Sequence, residues 1–204
     1  MKKSSFMYPI IFMSLITAIS VFALAFLDQS TAERVATLQE TDLRTKILYA
    51  FDIDVATTDA EEIEKLFNEH VEEELFEDKR VFILKENGED KGYAFPVVGP
   101  GLWGQINGYA AVSTDYNELM GIVFIKHEET PGLGGRIEEE EYLSQFRNLD
   151  LSKASDGNFI VYRPASNGNV DAIAGATLTS QSVAKLLNED INSFNNQGRG
   201  NRVG

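Results

Sequence analysis

The sequence predicts an α+β domain built on a mostly antiparallel sheet flanked by helices, with a transmembrane helix at its N-terminus. Three observations lead there: an uncharged apolar run near the start, a central series of short strand-like runs broken by turn residues, and amphipathic helical patterns toward both ends. At 204 residues the chain accommodates one anchored domain with a real core, and is short for two independent enzymatic domains. Organised by residue, it reads as an N-terminus on the cytoplasmic side (1–5), a transmembrane helix (6–27), a juxtamembrane helical region (28–78), the main folded domain (79–195) and a flexible tail (196–204).

From Phe6 to Leu27 the run FMYPIIFMSLITAISVFALAFL carries no charge, and a helix needs about 20 such residues to cross the hydrocarbon core. A cleaved signal peptide is the alternative, because Lys2 and Lys3 precede the run and Ala23-Leu24-Ala25 resembles a cleavage site. The run exceeds the about 7–15 residues of a usual signal-peptide core, which favours an uncleaved anchor. Both readings export the rest of the chain. Lys2 and Lys3 before the run and Asp28 after it favour a cytoplasmic N-terminus. The expected location is the cell inner (cytoplasmic) membrane, single-pass, with the C-terminal domain on the outer face.

Ala32 to Phe51 has a moderate helical pattern. Asp59 to Leu75 has a clearer one, with Ile63, Phe67, Val71 and Leu75 on one stripe and a Thr58-x-x-Glu61 capping box at its start. Val81–Leu84 reads as a strand, Asn87-Gly88 as a turn and Tyr93–Val98 as the returning strand. Ile106–Val112 and Leu119–Lys126 are further strands, and the near-continuous apolar character of the latter makes it central. A Gly- and Pro-rich loop, Thr130–Gly135, precedes a short helical stretch at Glu138–Phe146. Phe159–Tyr162 and Val170–Ile173 complete the strands, and a last helix from about Thr179 to Phe194 places Val183, Leu186, Leu187 and Phe194 on one side.

Composition narrows the function. A net charge of -14 and no clustering of basic residues argue against nucleic-acid binding, which needs a basic face. The chain has no cysteine, which removes disulfides, iron–sulfur ligation, thiolate zinc sites and cysteine nucleophiles. Any redox chemistry must therefore use an organic cofactor. Two histidines and scattered carboxylates lack the spacing of a metal-ligand set.

Residues 171–182 read DAIAGATLTSQS: a strand end, a glycine, then hydroxyl residues where a helix begins. Unpaired N–H groups in a first helical turn, together with the helix dipole, suit a phosphate, and Gly175 allows close backbone approach. Thr177 is the candidate for esterification. Ordinary N-capping by Thr177, Thr179 or Ser180 explains the same residues, and spacing does not separate the two readings.

DAIAGAT resembles the flavinylation motif Asp-x-x-Ser/Thr-Gly-Ala-Thr. Its continuation through Leu178 and Thr179 looks like that of the C-type subunits of sodium-translocating NADH:quinone reductases and the G-type subunits of Rnf complexes. HisGluGluThrProGlyLeuGly at 127–134 is similar to the loop that lies beside the isoalloxazine ring in this family. GlyLeuTrpGly at 101–104 looks like the quinone-reductase branch. The resemblance implies a covalent FMN, transferred from FAD by a flavin transferase and held as a phosphoester on Thr177. It assigns Gly175 and Ala176 as small residues that permit approach, Asp171 as a recognition or orienting residue, and Glu129, Thr130, Gly132 and Leu133 as the lining of the ring or its ribityl chain. A structural turn is the alternative for that loop. Trp103 either stacks near the ring or fills the core, and His127, lacking partners in sequence, reads as structural. Ala174 departs from the motif, which has Ser or Thr there.

On this resemblance, residues 79–195 are an FMN-binding domain, and the chain is an electron-transfer subunit working with other membrane subunits of a sodium- or ion-translocating NADH:quinone or ferredoxin:NAD oxidoreductase, not catalytic alone. A free-standing exported flavoprotein for extracellular electron transfer is a second reading. The third is a noncatalytic surface binding module whose GlyAlaThr segment only caps a helix.

Overall fold

The computed structural model describes residues 7–76, 78–154 and 157–201, with side chains to 198. The segment 1–5 and the last residues of the tail, 202–204, lie outside the described residues. The chain divides into an N-terminal unit, Met1–Thr41, and a compact unit, Asp42–Gly204. Helix α1 (Met7–Ala50) begins in the first with the apolar run, whose side chains from Met7 to Leu27 are exposed. Among the described residues it is the one helix long and apolar enough to cross a membrane.

The compact unit is an α+β domain around one antiparallel sheet. Helix α2 (Ala60–His70) leads directly into β1 (Val71–Phe76), followed by β2 (Lys79–Glu86), β3 (Glu89–Pro100), β4 (Gln105–Ser113) and β5 (Glu118–Lys126). A short helix α3 (Glu140–Leu143), flanked by 3-10 turns, and a two-residue strand β6 (Leu149–Asp150) precede the long helix α4 (Thr177–Asn201). The strands lie in chain order, each antiparallel to the next.

Side-chain alternation explains why both faces of this sheet are covered. Val81, Phe95, Val97, Ala110, Ile122 and Phe124 point to one face, where Val183, Leu186, Leu187 and Ile191 of α4 pack on them. Phe82, Ala94, Ala111 and Val123 point to the other, which is covered by Ile47, Leu48 and Phe51 at the end of α1 and by Phe67 of α2. A strand buried on both faces reads as a continuous apolar run, which is why β5 has the sequence of a central strand.

Four elements differ from the sequence reading. The helix expected over Asp59–Leu75 stops at His70, and Val71–Phe76 is the edge strand β1, so the stretch 28–78 is not wholly helical. Val71, Glu73 and Leu75 fit a period of two as well as a helical stripe. Salt bridges from Glu72 to Lys85 and from Glu73 to Arg80 then favour pairing with the basic strand β2. The cap is Asp59, whose side chain accepts from Glu61 N and Glu62 N, rather than Thr58. Phe159–Tyr162 and Val170–Ile173 form only one isolated bridge, Tyr162 to Val170. Side-chain amides add to the few backbone bonds there: Asn188 bonds both Ile160 N and Ile160 O, and Asn169 bonds Val161 N and Phe159 O. Finally, α4 continues into the expected tail as far as Asn201, with Gly198 lying against the Tyr116 ring.

Asp190 fastens α4 to the end of β3 by accepting from Val98 N at 2.9 Å. Burial holds its carboxyl above the usual aspartate range, against the pull of that hydrogen bond and of Lys79. A folded-state pKa above the unfolded value means that the folded protein binds this proton more tightly. The contribution of Asp190 is therefore most favourable below the unfolded pKa and declines as pH rises through the folded one. Asp190→Asn keeps an acceptor for Val98 N and is expected to be more stable than wild type at pH 7 and indistinguishable from it at pH 3. Urea titrations of the full chain in detergent at both pH values measure this. In the same assay Leu187→Ala, which empties a fully buried site, is expected to cost about 2–5 kcal/mol. Leu178→Ala, at a position 59% exposed, should change stability by less than about 0.5 kcal/mol.

Candidate functional site

Three loops meet at the start of α4. The first is the tip of the β3–β4 hairpin, residues 101–104, closed by Gly101 N donating to Gly104 O at 2.7 Å. The second follows β5, where Leu133 N donates to Thr130 O at 3.1 Å across Pro131 and Gly132. The third leads into α4, where Ala176 N donates to Ile173 O at 3.0 Å across Ala174 and Gly175. In the second and third, the residue before the closing donor is a glycine with positive φ, +73° at Gly132 and +78° at Gly175. Side chains rarely adopt that conformation, and type II turns require it at this position. Pro131 at the preceding position presets the other half of its turn.

One buried carboxylate ties the loops together. Glu129 is 5% exposed. Its Oε1 accepts from Leu102 N at 2.7 Å and Trp103 N at 3.2 Å, and its Oε2 accepts from the Thr179 hydroxyl at 2.6 Å. Glu129 N in turn donates to His127 Nδ1 at 3.2 Å, and His127 Nε2 lies 3.7 Å from Glu138. The Glu129 carboxylate thus faces inward, and His127 has partners that the sequence does not reveal.

Thr177 opens α4, and its environment differs from that of its neighbours. Ser180 N donates to Ala176 O at 3.0 Å, the first bond of the helix. Ala176 therefore sits at the cap position, where it has no side-chain oxygen to offer the N–H groups of the first turn. Thr179 is 1% exposed and occupied with Glu129. Ser180 is fully buried, its Oγ accepting from Ile173 N at 3.0 Å. Thr177 alone of these three hydroxyl residues is exposed, so neither Thr179 nor Ser180 is free for a ligand.

Around Thr177 the loops present apolar side chains outward. Leu102 and Leu133 are each 46% exposed, and Trp103 is 68% exposed. Trp103 is thus not a core residue. Leu133 Cδ2 lies 3.4 Å from where a Cβ on Gly175 would be, so the second and third loops are in contact. Thr130 and Gly132 are exposed on the same turn. These features suit FMN: an open helix start for the phosphate, and beside it an apolar surface for an aromatic ring.

Asp171 is displayed on the flank of the turn. Arg163 Nη1 donates to its carboxylate at 2.7 Å while Arg163 Nη2 holds Asn169 O, and Asp171 N donates to Gln145 Oε1 at 2.7 Å. These contacts edge a cleft of about 530 Å³ lined by Arg136, Gln145, Arg163, Asp171 and Ala174. Beneath it Tyr142 and Tyr162 share a hydrogen bond at 2.5 Å. Burial pushes the Tyr162 hydroxyl up to about 12, against the pull of Tyr142 and Ser180, and raises Tyr142 well above the usual range. Both stay neutral at physiological pH. The sequence reading does not single out Arg163, Gln145 or the tyrosine pair, because no spacing rule links positions so far apart.

Comparison with known proteins supports the cofactor class. Residues 101–192 match the family model of the FMN-binding domain. The C subunit of the Na(+)-translocating NADH-quinone reductase of Vibrio anguillarum is 36% identical over 114 residues, covering 50% of this chain and 42% of the relative. The G subunit of the ion-translocating oxidoreductase complex of Methanosarcina acetivorans is 33% identical over 108 residues, covering 53% and 54%. The chain thus spans about half the length of the curated relatives it matches, or less. The fold is shared with the crystal structure of Shewanella oneidensis NqrC, at TM-score 0.66 and 22% identity over 81% of this chain and 99% of that one. It is also shared with the C subunit of the Na(+)-translocating NADH-quinone reductase from Parabacteroides distasonis, at TM-score 0.60 and 24% identity over 76% and 89%. Residues 101–192 are therefore similar to the FMN-binding domain family, within a chain similar in sequence to the C and G subunits of these ion-translocating redox complexes.

Proposed function

We propose that this chain is a membrane-anchored electron-transfer subunit that carries FMN covalently, as a phosphoester on Thr177, within an ion-translocating oxidoreductase complex. The observation that carries the reading is the exposed Thr177 hydroxyl at a helix start whose cap residue is alanine, inside the segment that matches the FMN-binding domain. The helix N–H groups and dipole favour the phosphate's negative charge. Leu102, Trp103, Leu133 and Leu178 offer the apolar contact an isoalloxazine ring needs, and backbone groups of Thr130 and Gly132 edge the same surface. FMN when bound supplies the electron-transfer chemistry that no side chain here provides.

Ala174 occupies the exposed second position of the turn that ends at Ala176. A hydroxyl is not needed there to form the turn, so its replacement leaves the acceptor geometry intact. Asp171, held by Arg163 and Gln145, is the recognition residue for a flavin transferase. The apolar start of α1 anchors the chain in the cytoplasmic membrane, with residues from Asp28 onward on the outer face, and other membrane subunits are the electron partners. The C and G subunits match at similar identity, so the proposal names the class of complex and not one member.

The test is flavin fluorescence in a denaturing gel after co-expression with a flavin transferase. Wild type and Thr177→Ser are expected to give a fluorescent band and Thr177→Val none. A dark wild-type band with active transferase present, or a fluorescent Thr177→Val band, refutes covalent attachment at this residue.

A further inference from the structure

The segments that face outward around Thr177 are separated by long stretches of chain, yet one side chain contacts them all. Glu129 receives the N–H groups of Leu102 and Trp103 from the hairpin tip and the Thr179 hydroxyl from α4, and it precedes Thr130 and Leu133 on its own loop. All three donors are neutral. A carboxylate that is 5% exposed keeps its desolvation cost low only through such bonds, so the donors' positions are strongly fixed relative to it. None of these contacts uses a cofactor, so the staple is complete in the bare chain.

We propose that Glu129 is the positioning residue of the flavin site, holding the loops around Thr177 in register before the cofactor arrives and placing a carboxylate beneath those loops. This rests on the covalent-FMN reading and adds to it. A buried charge acts through a low-dielectric surrounding, where electrostatic interactions are stronger than in water. Glu129 therefore opposes the gain of negative charge by the ring and holds its midpoint potential low. Thr179 supports Glu129 from the helix side, in the same first turn of α4 as the acceptor Thr177.

Two substitutions separate shape from charge. Glu129→Gln retains an oxygen for Leu102 N and Trp103 N and can donate to the Thr179 hydroxyl, so the loops stay together while the charge is lost. Glu129→Ala removes the staple. Trp103 is the only tryptophan, and its backbone N–H is one of the stapled donors, so its fluorescence anisotropy in the flavin-free full chain reports on the loop directly. We expect anisotropy to fall in Glu129→Ala and to stay at the wild-type value in Glu129→Gln. In the flavin-loaded proteins, spectroelectrochemical titration should give a higher midpoint potential for Glu129→Gln than for wild type. An unchanged potential in Glu129→Gln, or an unchanged anisotropy in Glu129→Ala, overturns the assignment. Absence of a fluorescent band in wild type is a different failure: it removes the covalent-FMN reading, while the anisotropy arm still decides whether Glu129 positions the loops.

Discussion

The burial of one carboxylate constrains most of this site. An isolated charge inside a protein is costly, and Glu129 avoids that cost only because backbone N–H groups and a hydroxyl meet it from two other elements. The sheet makes this possible. β3 and β4 are paired from Gly92 to Pro100, which fixes where the 101–104 tip emerges, and β5 pairs with β4, which fixes where the 127–135 loop begins. α4 is held on the sheet by Val183, Leu186, Leu187 and Ile191 and tied to β3 through Asp190. With the scaffold rigid, a single hydrogen-bonding side chain is enough to bring three loops to one place.

The two loops nearest Thr177 solve the same local problem in the same way. Each must reverse direction within four residues and then present a side chain outward, Leu133 in one and Thr177 in the other. A glycine with positive φ permits the reversal in both, at Gly132 and Gly175. The contact of Leu133 with Gly175 then packs one turn on the other. A side chain at residue 175 would meet a backbone conformation it rarely adopts, at φ +78°. The glycine of the GlyAlaThr segment is thus required by the polypeptide itself, whatever binds beside it.

Local chemistry makes much of this legible in the sequence. The strands at Val81–Leu84, Tyr93–Val98, Ile106–Val112 and Leu119–Lys126 all lie within β2 to β5, because alternation of apolar residues and the turn residues between runs are properties of a few adjacent positions. The failures are non-local. β1 hides in a helical stripe because the basic partner strand that stabilises it comes later in the chain. Phe159–Tyr162 has the composition of a strand, but Asn169 and Asn188 satisfy its backbone groups. At the site, the motif points to Thr177 and to the neighbouring loops, whereas the inward orientation of Glu129 and the pairing of Asp171 with Arg163 depend on contacts between residues far apart in sequence. The exposure of Trp103, which composition leaves open between core and surface, follows from its place on a hairpin tip.

Helix geometry turns the burial of Thr179 into an argument about Thr177. Successive residues in an α-helix are rotated by about 100°, so positions two apart point roughly 200° from one another. Thr179 must face the protein interior to reach Glu129, and Ser180, the next position, must face it to receive Ile173 N. Thr177 therefore points away from Glu129, and it is exposed. The two inward hydroxyls fasten the first turn of α4 to the loops beneath it, and the same rotation turns Thr177 away from the Thr179–Glu129 contact. An exposed hydroxyl at this position is accordingly no accident of surface composition. It is the geometric counterpart of the Thr179–Glu129 contact, which faces the opposite side of the first turn of α4.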